Sequence, residues 1–133
     1  MKKYTNKEVQ KMAMIHEELT AKILEACFEV SNELGAGFLE SVYEKALLIA
    51  LKDKGLNTKS QFPLIVKFRG ISVGEFFADM LVEEVVILEL KAVTKLAPEH
   101  MAQLINYLKA TGIEVGLLIN FGNPKLEYRR LHK

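Results

Sequence analysis

Two strongly apolar segments, VVILELK at Val85–Lys91 and IEVGLLINF at Ile113–Phe121, lie on either side of a helix-like segment. Both runs predict strands, and the mostly apolar Ile113–Phe121 has the composition of a strand that is covered on both faces. The segment between them predicts a helix over Pro98–Ala110, because proline is favoured in a first helical turn and Thr111-Gly112 ends the pattern. A strand, a helix and a second strand predict a crossover between parallel neighbours. The chain should therefore fold as an α/β protein around a mixed sheet.

The N-terminal part of the chain has the spacing of two helices. Apolar residues recur at steps of three and four over Val9–Leu34, which is the period of one buried helix face. Thr5 and Glu8 lie three residues apart before this pattern, the spacing of a capping box. A second helix is predicted for Phe38–Lys54, whose apolar residues almost encircle its C-terminal end. We expect this second helix to be buried on most sides.

Three further segments have the composition of strands. Phe62–Phe68 is apolar and β-branched, and Arg69-Gly70 gives a turn signal before the next strand, Ile71–Val82. A short edge strand is predicted for Leu126–Arg130. With the crossover unit the order is ααβββαββ, which predicts one mixed sheet flanked by helices. No linker, repeat or low-complexity segment divides residues 1–133, so we expect a single domain.

Composition narrows the classes of function. The chain has 133 residues and a formal net charge of +1, so nucleic-acid binding would need a local patch rather than bulk charge. Its single cysteine, Cys27, excludes an internal disulfide and cysteine-only metal clusters. No apolar run is long enough to cross a membrane, and the N-terminus lacks the apolar segment of a signal peptide. We therefore expect a cytoplasmic protein without a membrane segment.

Three charged residues lie inside apolar strand segments. Asp79 is in FFADMLV, and Glu89 and Lys91 are in VVILELK. Residues two apart on a strand point to the same face, so Glu89 and Lys91 share a face that also carries apolar side chains. A solvated outer face is the ordinary explanation of such charges, but the apolar neighbours weaken it here. Desolvated charges are costly unless they pair or bind a metal, and such costs concentrate at functional sites.

The turn between the second and third strands decides whether Asp79 joins this face. A two-residue turn at Glu83-Glu84 would place Asp79 on the face opposite Glu89. A three-residue turn over Val82–Glu84, or a bulge, would pair Asp79 with Ile87 and place it on the same face as Glu89. We predict the second arrangement.

Two carboxylates beside an ammonium group suit one kind of chemistry. Mg²⁺ is held by one or two carboxylates and keeps other positions for water and substrate phosphate. A divalent ion polarises a phosphoryl oxygen, while a lysine can orient the attacking water and stabilise charge on phosphorus. Asp79, Glu89 and Lys91 together therefore indicate hydrolysis of phosphodiester bonds.

The same residues resemble a nuclease pattern. Asp79, a step of ten residues to Glu89, and then Leu90 and Lys91 look like the D…ExK core of the PD-(D/E)XK nuclease superfamily. The segment GFLESVY at Gly37–Tyr43 is similar to the G-x-x-E-x-x-Y signature of the GxxExxY family. The helical segment around it and the strand GIEVGLLINFG are similar to that family as well.

A further resemblance lies on the crossover helix. Gln103 and Tyr107, one helical turn apart, look like the Q-x-x-x-Y element of RecB-like nucleases. In all, the resemblance extends over about Leu19–Arg130. One departure is Ser31, where members of the GxxExxY family often carry a histidine.

The resemblance implies a restriction-endonuclease-like core and a metal site. Asp79 and Glu89 would bind Mg²⁺ or Mn²⁺, with the backbone carbonyl of Leu90 as a further ligand. Lys91 would be the catalytic lysine. Glu40 would approach the metal from the second helix.

The resemblance also gives roles to the crossover helix. Gln103 and Tyr107 would line the site and contact substrate phosphate or hold Lys91. Without the resemblance, these two residues would be an ordinary pair on an amphipathic helix. Glu40 would likewise be an ordinary surface residue.

The sequence leaves several functions open. We expect a magnesium-dependent nuclease that acts on DNA. The alternative is a nuclease-fold module that binds nucleic acid or protein with little or no turnover, because a chain of 133 residues has little surface for recognising a long duplex. A homodimer or a larger assembly would supply that surface. An enzyme for a small phosphorylated substrate ranks third, since the chain has no glycine-rich phosphate loop.

Overall fold

The structure, a computed structural model, describes Lys3, residues 5–8 and residues 16–133. The elements are α1 Glu17–Leu34, α2 Glu40–Asp53, β1 Thr58–Phe68, β2 Ile71–Val82, β3 Val86–Lys91, α3 Pro98–Thr111, β4 Val115–Asn120 and β5 Glu127–His132. Their order confirms the predicted ααβββαββ arrangement and the α/β class.

The described strands form one five-stranded sheet in the order β1-β2-β3-β4-β5. β3 and β4 are parallel, because α3 crosses over between them, whereas the other neighbouring pairs are antiparallel. The parallel ladder runs from Val86 opposite Val115 to Lys91 opposite Asn120. Lys91 therefore lies at the carboxyl edge of the parallel pair, where open α/β sheets commonly bind ligands.

Helices cover both faces of the sheet. α1 and α2 share one hydrophobic core with β3 through Val86, Leu88 and Leu90. α3 shares a second core with the opposite face, which carries Ile87. Because side chains alternate along a strand, the face of Ile87 continues into Glu89, on the α3 side of the sheet.

The position of α3 over the sheet is fixed at two points. Gly116 on β4 permits a close approach, since a Cβ there would lie 2.9 Å from Leu104 Cδ1. Pro98 begins the helix, and the Ala97 N–H donates to His100 Nδ1 at 3.0 Å. These contacts set the height and direction of the helix that carries the predicted glutamine and tyrosine.

The first helix differs from the prediction. Thr5 and Glu8 form the expected capping box: the Glu8 N–H donates to Thr5 Oγ1 at 3.1 Å and the Thr5 N–H donates to Glu8 Oε2 at 2.9 Å. His16, however, has φ 58° and ψ 26°, and α1 begins directly after it. One continuous helix over Val9–Leu34 is therefore wrong, because a right-handed helix cannot pass through a left-handed residue. Residues 9–15 of that prediction lie outside the described residues.

β1 and β2 form a hairpin that is longer than its contact with β3. β3 pairs only with Met80–Val82, whereas β1 pairs with β2 as far as Ile71. The tip is the predicted turn, Arg69-Gly70, whose φ values of 51° and 79° suit a two-residue hairpin. The distal part of this hairpin therefore projects past β3.

The ladder between β1 and β2 is interrupted at one position beside the carboxylates. The ladder omits the pair of Gln61 and Asp79, and Gln61 has φ 52°. Ala78 packs in the core on the α3 side, whereas Met80 packs in the core on the α1 and α2 side. The alternation of faces is therefore interrupted at Asp79, where the pair with Gln61 is missing.

Candidate functional site

The connection between β2 and β3 determines the geometry of the site. It contains three residues, Glu83–Val85, instead of the predicted Val82–Glu84. Both glutamates have left-handed φ values, 51° and 63°, and the ladder begins with Val82 opposite Val86. Left-handed glutamates are uncommon, so the sequence indicates a turn here but not these backbone angles or the exact bounds of the turn.

This register changes the partner of Asp79. Ile87 lies opposite Leu81, so the predicted pairing of Asp79 with Ile87 is wrong. Continuing the observed register brings Asp79 opposite Glu89. Residues that oppose each other in an antiparallel pair share a face. The structure thus brings the two carboxylates together by a different register from the one predicted.

The two carboxylates are fixed by amides of the opposite strand. The Asp79 N–H donates to Glu89 Oε1 at 3.0 Å, and the Leu90 N–H donates to Asp79 Oδ2 at 2.7 Å. These bonds occupy one oxygen of each carboxylate where the regular ladder ends. The rotamers of both side chains are therefore set before any ligand binds.

The second oxygen of each carboxylate is open. Asp79 Oδ1 and Glu89 Oε2 accept no hydrogen bond from the described residues. A side-chain oxygen that lacks a hydrogen bond must then be in contact with solvent, because the described part of the chain contains no buried side-chain nitrogen or oxygen without a partner. Both oxygens therefore reach solvent, although Glu89 as a whole is only 5% exposed. Two open carboxylate oxygens on one face are a suitable donor set for a hard divalent cation.

Burial makes negative charge on this pair unfavourable. Burial, and then the charge of Asp79, raises the pKa of Glu89 from 4.5 to about 8. Burial also raises the pKa of Asp79, and the charges of Glu44 and Glu40 add to the rise, while the hydrogen bond from the Leu90 N–H opposes it. Such a pair gains electrostatic free energy from any cation that approaches its open oxygens.

Lys91 lies on the same strand face, two residues beyond Glu89. Its charge lowers the pKa of both Asp79 and Glu89, which places the ammonium group near them. The described residues nevertheless give Lys91 no ion pair within 4.0 Å. Its backbone is held firmly, because the Phe121 N–H donates to the Lys91 carbonyl at 2.8 Å. The ammonium group is therefore near the two carboxylates but forms no ion pair with them.

Two glutamates of α2 approach the pair from the side. Glu40, the first residue of α2, is exposed, and its charge raises the pKa of both Asp79 and Glu89. Glu44 has the larger effect on Asp79. Glu44 was missed in the sequence, although its i+4 spacing from Glu40 could have indicated a shared helix face.

Hydrogen bonds hold Glu44 toward β1. Its Oε1 accepts from Ser60 Oγ at 2.9 Å and from Gln61 Nε2 at 3.0 Å. The described residues contain no group of three or more His, Cys, Asp or Glu side chains close enough to hold a metal ion together. Asp79 and Glu89 are therefore the central pair, with the α2 glutamates farther out.

The crossover helix faces the carboxylates. Gln103 Nε2 donates to Tyr107 Oη at 3.2 Å. Burial raises the pKa of Tyr107, and the charges of Glu89 and Asp79 raise it further. The structure therefore brings both residues of the predicted α3 pair to the same side of the sheet as the carboxylates.

A tyrosine explains the geometry of the loop before Glu40. The buried Tyr43 Oη donates to the Gly35 carbonyl at 2.6 Å and accepts from the Phe38 N–H at 3.2 Å. Its ring stacks on Phe121 with centroids 4.8 Å apart. Tyr43 thus ties the loop between α1 and α2 to the end of β4 and fixes the point at which Glu40 begins α2.

A buried asparagine holds the loop that follows Lys91. Asn120 Nδ2 donates to the Val93 carbonyl at 2.9 Å and to Glu127 Oε1 at 3.1 Å. Asn120 Oδ1 accepts from the N–H groups of Val93 at 2.9 Å and Gly122 at 3.0 Å. The hydrogen bond from Asn120 is the main cause that lowers the pKa of Glu127. In the sequence, Asn120 looks like the polar end of an apolar strand, and nothing there signals its role in holding this loop.

Comparison with protein families identifies the class. A family model described as PD-(D/E)XK nuclease superfamily matches residues 17–131. The chain therefore belongs to the PD-(D/E)XK nuclease superfamily, and its mixed sheet between helices is the restriction-endonuclease-like core that the sequence predicted.

A solved structure supports the fold. The protein described as "Crystal structure of SSO0001" is similar to this chain with a TM-score of 0.54 and 16% identity over 92% of this chain. The match covers 61% of that protein, so this chain spans less than two thirds of its length. No protein of curated function matches the chain significantly.

The helices of the structure bear on whether the protein crosses a membrane. None of the helices in the described ranges is long and apolar enough to cross a membrane. A cytoplasmic location and a single domain over residues 1–133 stay predictions.

Proposed function

We propose that this protein is a divalent-metal-dependent nuclease that hydrolyses phosphodiester bonds in DNA. The observation that carries the proposal is the Asp79–Glu89 pair, in which each carboxylate has one oxygen held by an amide and one open. A pair with raised pKa values gains most from a bound cation. Membership of a nuclease superfamily supports the same chemistry.

The proposed roles follow from position. Asp79 and Glu89 would hold Mg²⁺ or Mn²⁺, with the Leu90 carbonyl as a further ligand and Glu40 approaching from α2. When bound, such an ion supplies Lewis-acid polarisation of a phosphoryl oxygen. Lys91 would orient the attacking water and stabilise negative charge on phosphorus. The water oxygen would bond to phosphorus and lose a proton as the bond to the leaving oxygen breaks, and the leaving oxygen would gain a proton, which yields a phosphate monoester and a hydroxyl.

The α3 pair would act on the substrate. Gln103 and Tyr107 lie on the carboxylate side of the sheet and would contact substrate phosphate or hold Lys91. We also propose that Glu44 helps to attract the cation, because its charge acts on Asp79.

The branch within the superfamily is part of the proposal. The structure gives a physical reason for the G-x-x-E-x-x-Y segment, since Tyr43 fixes the loop that leads to Glu40. The Gln103–Tyr107 hydrogen bond is consistent with the Q-x-x-x-Y element. Both observations support assignment to the GxxExxY family and to the RecB-like branch.

The first test is cleavage of labelled DNA with Mg²⁺ or Mn²⁺. Asp79→Asn and Lys91→Met should each lower the rate by roughly 10²–10³-fold, the cost of removing one electrostatic contact to the reacting phosphate. Matched controls are Glu83→Gln and Lys52→Met, which are exposed and away from the site. Equal rates for wild type and Asp79→Asn would show that a contaminant cuts the DNA, and the proposal would fail.

One observation favours a second function. The described residues bring no third His, Cys, Asp or Glu side chain to the pair, so two carboxylates alone would have to hold a cation there. The alternative is therefore a module that binds nucleic acid or protein with little or no turnover. A pure, folded wild type that binds DNA but cleaves neither DNA nor RNA with any divalent metal would establish this alternative.

A further inference from the structure

A groove runs between α3 and the hairpin of β1 and β2. Its volume is about 1150 Å³, and its walls are the distal part of the hairpin and one face of α3. Gln103 and Tyr107 belong to the α3 wall. Asp79 and Glu89 do not line the groove, but their charges act on Tyr107, which lies with Glu89 on the α3 side of the sheet.

The hairpin wall presents an aromatic ring to the groove. Phe76 is 45% exposed, and its ring centroid lies 6.0 Å from that of Tyr107, at a tilt of 42°. The ring rests over Gly74, where a Cβ would lie 3.0 Å from Phe76 Cε2. A ring that is supported on one side and half-exposed on the other offers a surface for stacking.

The rest of the lining combines apolar side chains, such as Ile65 and Val66, with polar ones, and its charged residues are two lysines and one glutamate. Lys67 on the hairpin and Lys109 on α3 are both exposed, and Glu99 is the acidic lining residue. Neither lysine forms an ion pair with another described residue. Gln103 and Asn106 add side-chain amides. An aromatic platform with unpaired cations and amides is the combination that binds single-stranded nucleic acid.

We infer that this groove binds a short single-stranded segment of nucleic acid, with one base stacked on Phe76 and the backbone phosphates near Lys67 and Lys109. The inference rests on the proposed function, because a strand held against Tyr107 would lie near Asp79 and Glu89, whose charges act on that residue. A duplex suits the groove less well, since its bases are stacked on one another and expose only their edges.

The aromatic contact is tested by fluorescence anisotropy of a labelled oligo-dT in a chelator, where no cleavage occurs. Phe76→Ala should raise the Kd by roughly 5- to 100-fold, the range expected for loss of one stacked base. Phe76→Tyr should restore binding, because it keeps the ring. Phe68→Ala is the matched control, since Phe68 is exposed at the hairpin tip outside the groove.

The ionic contacts are tested through salt dependence. Loss of two phosphate contacts on a single strand should make the negative slope of log K against log salt shallower by about 1.4. The double variant Lys67→Gln and Lys109→Gln should show this change. The control double variant, Lys52→Gln and Lys125→Gln, should keep the wild-type slope, because neither residue lines the groove.

The outcomes separate this inference from the proposed nuclease activity. Equal binding by wild type and Phe76→Ala, tighter binding of a blunt duplex than of the single strand, or no binding of either would overturn the inference. If wild type and Phe76→Ala bind equally well and DNA is still cleaved, the groove inference fails but the nuclease proposal stands. Binding that depends on Phe76 without any cleavage would support the groove and reject the nuclease. Thermal unfolding of each variant checks that the hairpin is still folded.

Discussion

At the scale of single residues, the raised pKa of Glu89, a proposed metal ligand, makes the free energy of unfolding depend on pH. Burial and the neighbouring Asp79 raise its pKa from 4.5 to about 8. Between pH 4.5 and about pH 8, Glu89 therefore keeps its proton in the folded protein but loses it in the unfolded chain. The stabilisation from this group is therefore complete below about pH 4.5 and is lost as the pH rises through about 8.

This linkage predicts a pH dependence of the metal-free protein. In a chelator, the midpoint of thermal unfolding for the wild type should fall between pH 5 and pH 8.5 by more than that of Glu89→Gln, which cannot ionise. Glu83→Gln is the control, because Glu83 is exposed, and it should keep the wild-type slope. Parallel curves for wild type and Glu89→Gln would show that Glu89 does not have the raised pKa.

Single residues also show where sequence reasoning reaches its limit. The spacing of Asp79, Glu89 and Lys91 was readable because charges inside apolar strands are conspicuous. The strand register that brings them together could not be predicted, because it depends on left-handed φ values at Glu83 and Glu84. His16 also has a left-handed φ value, and the hydrophobic period of the sequence could not show that a helix begins directly after it.

At the scale of elements, the loop between β3 and α3 decides whether the two sides of the site keep their spacing. Asn120 makes four hydrogen bonds across this region, two of them to Val93. A Cβ on Gly122 would lie 2.0 Å from the Val93 carbonyl oxygen, so the backbones are in direct contact there. The position of α3 relative to Lys91 therefore depends on one buried amide.

Removal of this amide should be costly. Asn120→Ala leaves buried backbone groups unpaired and should reduce the free energy of unfolding by about 2–4 kcal/mol, measured by urea denaturation. Asn57→Ala is the control, because Asn57 is exposed, and it should change stability by less than about 0.5 kcal/mol. A cost for Asn120→Ala within the range of the control would contradict the role given to the amide.

Elements were predicted best where hydrophobic pattern and turn chemistry agree. The bounds of β2 match the prediction at both ends, and α3 starts at the predicted proline. β1 begins at Thr58, four residues earlier than predicted, because its polar start is held by Glu44 and by pairing with β2. The groove beside α3 could not be predicted, since it depends on how far the hairpin projects past β3.

At the scale of the whole molecule, the site lies where the sheet topology favours it. The parallel pair of β3 and β4 ends at Lys91, and helices approach this end from both faces of the sheet. The net charge of +1 leaves recognition to local features such as the groove. A homodimer or a larger assembly, which would enlarge the binding surface, stays a prediction that light scattering can test.

Binding of a divalent cation by Asp79 and Glu89 can be measured by calorimetric titration with Mn²⁺ at pH 7.5. We expect one site per chain in the wild type and in Glu83→Gln, and loss of that site in Asp79→Asn. Circular dichroism should show that all three proteins are folded. Mn²⁺ binding of equal strength in wild type and Asp79→Asn, or no binding by the folded wild type, would contradict the account.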